Sequence, residues 1–141
     1  MIAARRAAPV LLGLVAIVAA ACGSAKRDEC RSLSALMNQS ADKIDKAQAT
    51  ALDPSGLKAL ADTLDKSATE ADALKLTVPE LQAHRKTYAT LLRDTSKTAR
   101  EMAVAGEAGD RPKAEAAGDA MEKIVAAEPK LVADVNKTCA D

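Results

Sequence analysis

The chain has 141 residues, with 20 basic and 20 acidic side chains and one aromatic residue, Tyr88. Nucleic-acid binding relies on a basic surface or on aromatic side chains that stack on bases. The balanced charge and the single aromatic residue therefore argue against it. The abundance of Ala, Leu, Lys, Asp and Glu is typical of long helices, and no alternating apolar run indicates a strand. We therefore expect an all-α protein.

The first 21 residues have the three parts of an export signal. Arg5 and Arg6 form a basic start, residues 10–18 are apolar, and three alanines precede Cys22. The apolar stretch is shorter than the roughly 20 residues that cross a bilayer as a helix. We predict that residues 1–21 are a signal peptide that is removed, which leaves 18 basic against 20 acidic residues because two arginines are lost.

The residues around the predicted cleavage site resemble the lipobox of bacterial lipoprotein precursors. That pattern is Leu, then Ala or Ser, then Gly or Ala, then Cys; Ala20, Ala21 and Cys22 match it, whereas Ala19 stands in place of Leu. The resemblance implies a diacylglycerol on the Cys22 sulfur and an acyl chain on its amine. With Gly23 following, it also implies a cell-envelope protein of the outer membrane. Ordinary signal peptidase would cut the same bond, in which case the chain is released without a lipid.

The cysteine count favours the lipid. Three cysteines, Cys22, Cys30 and Cys139, leave an exported protein with one spare thiol. If Cys22 carries the lipid, Cys30 and Cys139 are left to form one disulfide in an oxidising compartment. In the alternative, Cys22 stays free or pairs with a second molecule.

Four segments after residue 29 have apolar or small residues at helical spacing. Breaks at Asp53-Pro54, at residues 77–80 and at residues 106–110 separate them. The predicted inner faces are Cys30, Leu33, Met37, Ser40, Ile44 and Ala47; Leu57, Leu60, Leu64, Ser67, Ala71 and Leu74; Leu81, His84, Tyr88, Leu91, Thr95, Thr98 and Met102; and Ala114, Ala117, Met121, Ile124, Glu128, Leu131, Val135 and Thr138.

Residues at the breaks predict how the helices begin and end. Asp53 can cap the second helix, and Thr77 with Glu80 has the spacing of a capping box for the third. Glycine within residues 106–109 suits a helix C-terminus. Pro129 should kink the fourth helix.

The disulfide and the helix count agree with each other. Antiparallel helices joined by short loops alternate in direction, so the first start and the last end meet only when the number of helices is even. Three such helices would leave Cys30 and Cys139 about 30 Å apart at a 1.5 Å rise per residue, whereas a disulfide needs α-carbons within about 7 Å. We predict an up-down-up-down four-helix bundle over residues 30–141.

Residues 22–29 are expected to form a short tether between the lipid and the bundle. At no more than about 3.6 Å per residue, this tether keeps Cys30 under about 30 Å from Cys22. The end that carries the disulfide would therefore lie near the membrane, and the turns at Asp53 and at residues 106–110 would face away from it.

The third predicted helix is the basic one. Residues 79–106 hold three acidic and five basic side chains, whereas its predicted neighbours in the chain are acidic. Four of its bases lie opposite the apolar face and are predicted to contact anionic headgroups, a surface polysaccharide or an acidic partner: Lys86, Arg93, Lys97 and Arg100. The alternative is an ordinary solvated face.

No catalytic or metal site is expected. His84 is the only histidine, and the sequence lacks the Glu-x-x-His pairs, the haem-attachment motif and the phosphate-binding loop of familiar sites. The leading hypothesis is a non-enzymatic lipid-anchored protein that binds a protein or an envelope polymer through exposed helix faces. The alternative is a carrier that holds a small ligand or cofactor around His84, Tyr88 and Met102.

Overall fold

The computed structural model describes the backbone of residues 10–140 and the side chains of residues 23–140. This part of the chain forms five α-helices: α1 (Val10–Gln48), α2 (Pro54–Ala73), α3 (Pro79–Glu107), α4 (Arg111–Val125) and α5 (Glu128–Ala140). Residues 10–140 contain no strand, so the all-α prediction is confirmed for them. The side chains of the predicted signal peptide and of Cys22 lie outside the described residues. Among the described helices, none is both long enough and apolar enough to cross a membrane.

Residues of the predicted inner faces form the core. Leu33 and Leu81 are completely buried, and Tyr88 and Val135 are each 3% exposed. The predicted disulfide is present, since Cys30 of α1 and Cys139 of α5 are joined with their α-carbons 5.8 Å apart. The sequence periodicity therefore identified the buried side of each helix.

Helix α3 buries more of its surface than a single stripe. Besides the predicted residues, it buries a second row that includes Ala89, Leu92, Ser96 and Ala99. This row packs against α2, where the Ser96 hydroxyl donates to the Ala61 carbonyl at 3.0 Å. The most extensive helix packing in the described residues joins α3 to α2 and to α4. Because α2 and α4 both pack against α3, that helix buries two rows of side chains.

The predicted fourth helix is divided in two. Helix α4 ends at Val125 and α5 begins at Glu128. Pro129 has no amide hydrogen to donate to the carbonyl four residues earlier, which is that of Val125, and its ring would clash there. Pro129 thus produces a break where the sequence predicts a kink.

Side chains cap two helix starts. Asp53 accepts a 2.7 Å hydrogen bond from the Gly56 amide, as expected, and Asp110 accepts one of 3.2 Å from the Lys113 amide. After α3 the chain turns at Gly109, whose φ of 67° suits glycine.

The capping box predicted for α3 is wrong. Val78 occupies the N-cap position and makes no side-chain cap. The Thr77 hydroxyl instead donates to Glu29 Oε1 at 2.5 Å, because the middle of α1 lies beside this loop. Thr77 is thus bonded to Glu29, 48 residues earlier in the chain, in place of the predicted partner in α3.

Two regions of the molecule are named here for use below. The disulfide end contains Cys30, Cys139 and the loop of residues 74–78, which contacts Glu29. The distal end contains the turns of residues 49–53 and 108–110. These turns are neighbours, because Lys58 Nζ lies 2.6 Å from Glu107 Oε1, and a Cβ on Gly106 would lie 3.2 Å from Pro54.

Candidate partner-binding surfaces

Two of the four predicted partner-binding residues contact α2. Arg93 donates to Asp72, and Arg100 donates to Asp62 and Asp65 at 2.8 and 2.6 Å. Burial would raise the pKa of Asp65, but hydrogen bonding and charge from Arg100 help to hold it below its usual value. These contacts match the predicted charge complementarity between the second and third helices, and they neutralise half of the predicted strip.

The other two predicted residues are directed to solvent. The Lys97 side chain is 77% exposed, and its Nζ lies 4.0 Å from Glu101 Oε1. Lys86 is exposed, and no ion pair is recorded for it within residues 23–140. The four residues thus occupy one helix without forming a continuous free basic surface.

A groove of about 610 Å³ lies between α3 and α4, near the distal end. Lys97 and Arg100 line one part of it, and the Asp110–Lys113 ion pair of 2.8 Å lies at the turn between the helices. Its size is within the roughly 300–1,000 Å³ range of ligand pockets. Two predicted partner-binding residues therefore line a groove of ligand-pocket size.

Small side chains account for the groove. Both helices contribute alanines to its lining, Ala105 from α3, Ala108 directly after the end of α3, and Ala116, Ala117 and Ala120 from α4. Because an alanine side chain ends at Cβ, the surface between the two backbones is recessed. Val104 stands in the groove with 60% of its surface exposed, more than an apolar side chain in a closed core would show. Its lining is mainly apolar, with charged groups of both signs.

The three residues suggested for an internal ligand site are far apart along α3. His84 is half-buried, and its Nε2 lies 2.9 Å from the Thr138 hydroxyl of α5. Fourteen residues separate Tyr88 from Met102, which corresponds to about 21 Å along a helix. A small ligand could not contact all three side chains at once.

Two smaller cavities adjoin Tyr88. Their volumes are about 160 and 250 Å³, and Tyr88 and Glu128 line both. Burial raises the pKa of the Tyr88 hydroxyl above its usual value, and the Glu128 charge acts in the same direction. This region of the core, between α1 and the α4–α5 break, is loosely filled; His84 and Met102 line neither cavity.

Glu29 connects α1 to the loop at the disulfide end. Its carboxylate accepts hydrogen bonds from the Thr77 amide at 2.9 Å and from the Val78 amide at 3.0 Å, in addition to the Thr77 hydroxyl. The bond from the Thr77 hydroxyl and those from the two amides lower the pKa of Glu29. Sequence reasoning missed this residue, because nothing in the local pattern around Glu29 indicates a loop 48 residues later.

The described part of the chain holds no group of three or more His, Cys, Asp or Glu side chains placed to bind a metal ion. Comparison of the chain with protein-family models, with curated proteins and with solved structures finds no match.

Proposed function

We propose that this chain is a non-enzymatic, lipid-anchored protein of the bacterial cell envelope, which binds a protein or an envelope polymer through its exposed helix faces. In this proposal residues 1–21 are removed, Cys22 carries diacylglycerol and an acyl chain, and residues 30–141 form the binding domain. The outer membrane is the proposed location.

The disulfide supports export and, through the cysteine count, the lipid. Disulfides persist in oxidising compartments such as the periplasm and the cell surface. The bond between Cys30 and Cys139 uses two of the three cysteines, and Cys22 is the third. A lipid on its sulfur accounts for that spare cysteine.

Side-chain pairs between helices support the up-down-up-down arrangement as part of this proposal. Successive residues of α3 meet successively earlier residues of α2: Arg93 pairs with Asp72, Arg100 with Asp65, and Glu107 with Lys58. This order is that of antiparallel helices. The disulfide between the first and last helices fits the same arrangement.

The observation that carries the binding function is the α3–α4 groove. It is apolar, open to solvent and near the distal end, which the proposed anchor directs away from the membrane. Val104 is an exposed apolar residue of this groove: 60% of its surface is accessible, and burying that surface against a partner would be favourable in free energy.

The test is a crosslinked pull-down from whole cells that express the full-length chain. Val104→Glu places a charge in the groove, and because Val104 is exposed the substitution should leave folding intact. We expect recovery of the crosslinked partner to fall at least about tenfold, as loss of a central apolar contact of about 1.4 kcal/mol would produce.

Leu52→Glu is the matched control. Leu52 is 91% exposed and lies in the other distal turn, outside the groove lining. Equal recovery with Val104→Glu and with the unchanged chain would reject the groove as the binding surface. The intact mass of the purified protein reports separately whether Cys22 carries the lipid.

The cavities beside Tyr88 favour a second candidate, a carrier of a small ligand. A ligand there would contact Tyr88 and Glu128 and would not reach Met102, about 21 Å away along α3. Native mass spectrometry of protein from its own cells would show the added mass of such a ligand. Leu91 lines the cavity of about 160 Å³, and Leu91→Trp should fill the larger part of it and reduce the amount of the ligand-bound species. Val104→Glu should leave the amount of that species unchanged.

A further inference from the structure

The turn of α1 that follows Cys22 carries cations close to the proposed lipid. Residues 23–29, expected as a tether, are helical in the structure. At 1.5 Å per residue, Lys26 and Arg27 lie about 6 to 8 Å along the helix from Cys22. These distances do not exceed the Debye length of about 8 Å at physiological ionic strength. Both side chains therefore lie within reach of the surface potential of the membrane that holds the lipid.

The loop of residues 74–78 brings a third cation, Lys75, to the same end of the domain. Glu29 holds this loop through the Thr77 and Val78 amides, at 2.9 and 3.0 Å. Lys75 is exposed and lies two residues before Thr77. The contact places Lys75 near the turn of α1 that holds Glu29, although 49 residues separate Lys75 from Lys26 in the chain.

Most acidic groups near these three cations already have a hydrogen-bond or ion-pair partner. Glu29 is used by the loop amides, and Asp28 Oδ1 lies 3.6 Å from Arg31 Nη1. Within the described side chains, Lys26, Arg27 and Lys75 form no ion pair, and Arg27 Nε donates to the Gly23 carbonyl at 3.2 Å. Glu80, in the first turn of α3, is the nearby acid without a recorded ion pair in residues 23–140.

We propose that Lys26, Arg27 and Lys75 form a basic face that contacts anionic lipid headgroups. The inference rests on the proposed lipid at Cys22. It assigns the headgroup contact to these residues and not to the predicted strip on α3, where Arg93 and Arg100 already pair with α2.

The basic face would orient the domain. The proposed anchor of several acyl chains already holds the protein on the membrane, so additional attraction changes little in the amount bound. Attraction at the disulfide end would instead keep that end on the lipid and the α3–α4 groove away from it. This effect depends on anionic lipid and weakens with salt.

The experiment measures lysine acetylation rates by mass spectrometry on purified, full mature protein in vesicles. One set of vesicles is neutral phosphatidylcholine, and the other contains about one third phosphatidylglycerol. We expect Lys26 and Lys75 to react about fivefold more slowly on the anionic vesicles, the factor that attraction of one basic residue to such a surface would produce. Salt at about 1 M, where the Debye length is about 3 Å, should abolish the difference.

Lys97 and Lys113, near the distal end, are internal controls whose rates should be equal on the two vesicles. The variant Lys26→Gln/Arg27→Gln should remove most of the protection of Lys75, and Lys97→Gln/Lys113→Gln should leave it intact. Equal Lys75 rates on neutral and anionic vesicles would overturn the proposal.

Failure of the anchor and failure of the basic face give different results. The intact mass shows whether the lipid is present. If it is absent, the same chain is added to the vesicles from solution and acetylated in the same way. Salt-sensitive protection of Lys26 and Lys75 would then still support the basic face, and its absence would reject it.

Discussion

The disulfide end and the distal end of the molecule are stabilised by different kinds of contact. At the disulfide end, a covalent bond, the Glu29 carboxylate and the His84–Thr138 contact join residues that are far apart in the chain. At the distal end, Asp53 and Asp110 each cap the helix that follows, and the exposed Lys58–Glu107 ion pair joins the two turns. An alanine-rich groove is open to solvent near the distal end, whereas long-range contacts hold the disulfide end together. The comparison indicates that the long-range contacts and the proposed binding surface lie at opposite ends.

The largest expected effect is loss of the disulfide. The bond joins residues 109 positions apart, and the chain-entropy model assigns about 4 to 5 kcal/mol to a loop of that length. We expect Cys30→Ala/Cys139→Ala to lower Tm by on the order of 15 °C or more, measured by circular dichroism. A reductant should lower the Tm of the unchanged protein and not that of the variant. An unchanged melting curve for the variant would contradict this account of the disulfide end.

An effect of intermediate size is expected at the distal end. A Cβ on Gly56 would lie 2.3 Å from the Thr50 carbonyl oxygen, so Gly56→Ala must displace backbone. We expect a loss of about 1 to 3 kcal/mol in the free energy of unfolding, measured by urea denaturation.

Gly118→Ala is its control. The nearest atom to a Cβ on Gly118 is 3.8 Å away, and alanine favours a helix interior by about 0.5–1 kcal/mol. If both variants were destabilised equally, the close approach at Gly56 would not be the cause.

The smallest effect concerns Glu29, which is only half-buried, so that solvent screens its contacts. Hydrogen bonds from Thr77 and Val78 lower its folded-state pKa from the usual 4.5. A lowered pKa contributes stability that is present above pH 4.5 and is lost as the pH falls through the folded-state pKa. We therefore expect the Tm of the unchanged protein to fall between pH 7 and pH 3. Glu29→Gln should lower Tm at pH 7 and make the difference in Tm between pH 7 and pH 3 smaller.

Asp65 and Asp110 also have lowered pKa values, and their contribution persists in the variant. Glu80→Gln is the comparison that removes one acid from the same end without removing a bond to the loop. If Glu29→Gln and Glu80→Gln gave the same pH dependence of Tm, the hydrogen bonds of Glu29 would have no measurable role.

Local patterns predicted much of the fold. The inner faces of the helices, the Asp53 cap and the glycine turn depend on residues within a few positions of each other. The disulfide followed from a count of three cysteines, because one of them had another expected use. In each case the physical constraint acts within a short segment or on a small number of candidates.

The remaining features depend on packing between distant segments. Thr77 has the spacing of a local cap, yet its hydroxyl donates to Glu29, 48 residues earlier. The second buried row of α3 exists because another helix covers that side, which the periodicity of α3 alone cannot show. The groove likewise follows from alanines of two helices that face each other, and neither run of alanines indicates a recess by itself.

The position of the disulfide has a mechanical consequence. Under the proposed attachment, tension between a bound partner and the membrane passes from Cys22 through eight residues of helix to Cys30. There the covalent bond divides the force between α1 and α5, the two helices that it joins. Pulling on the lipid therefore loads two helices in parallel, and α1 cannot be peeled from the domain without breaking a covalent bond.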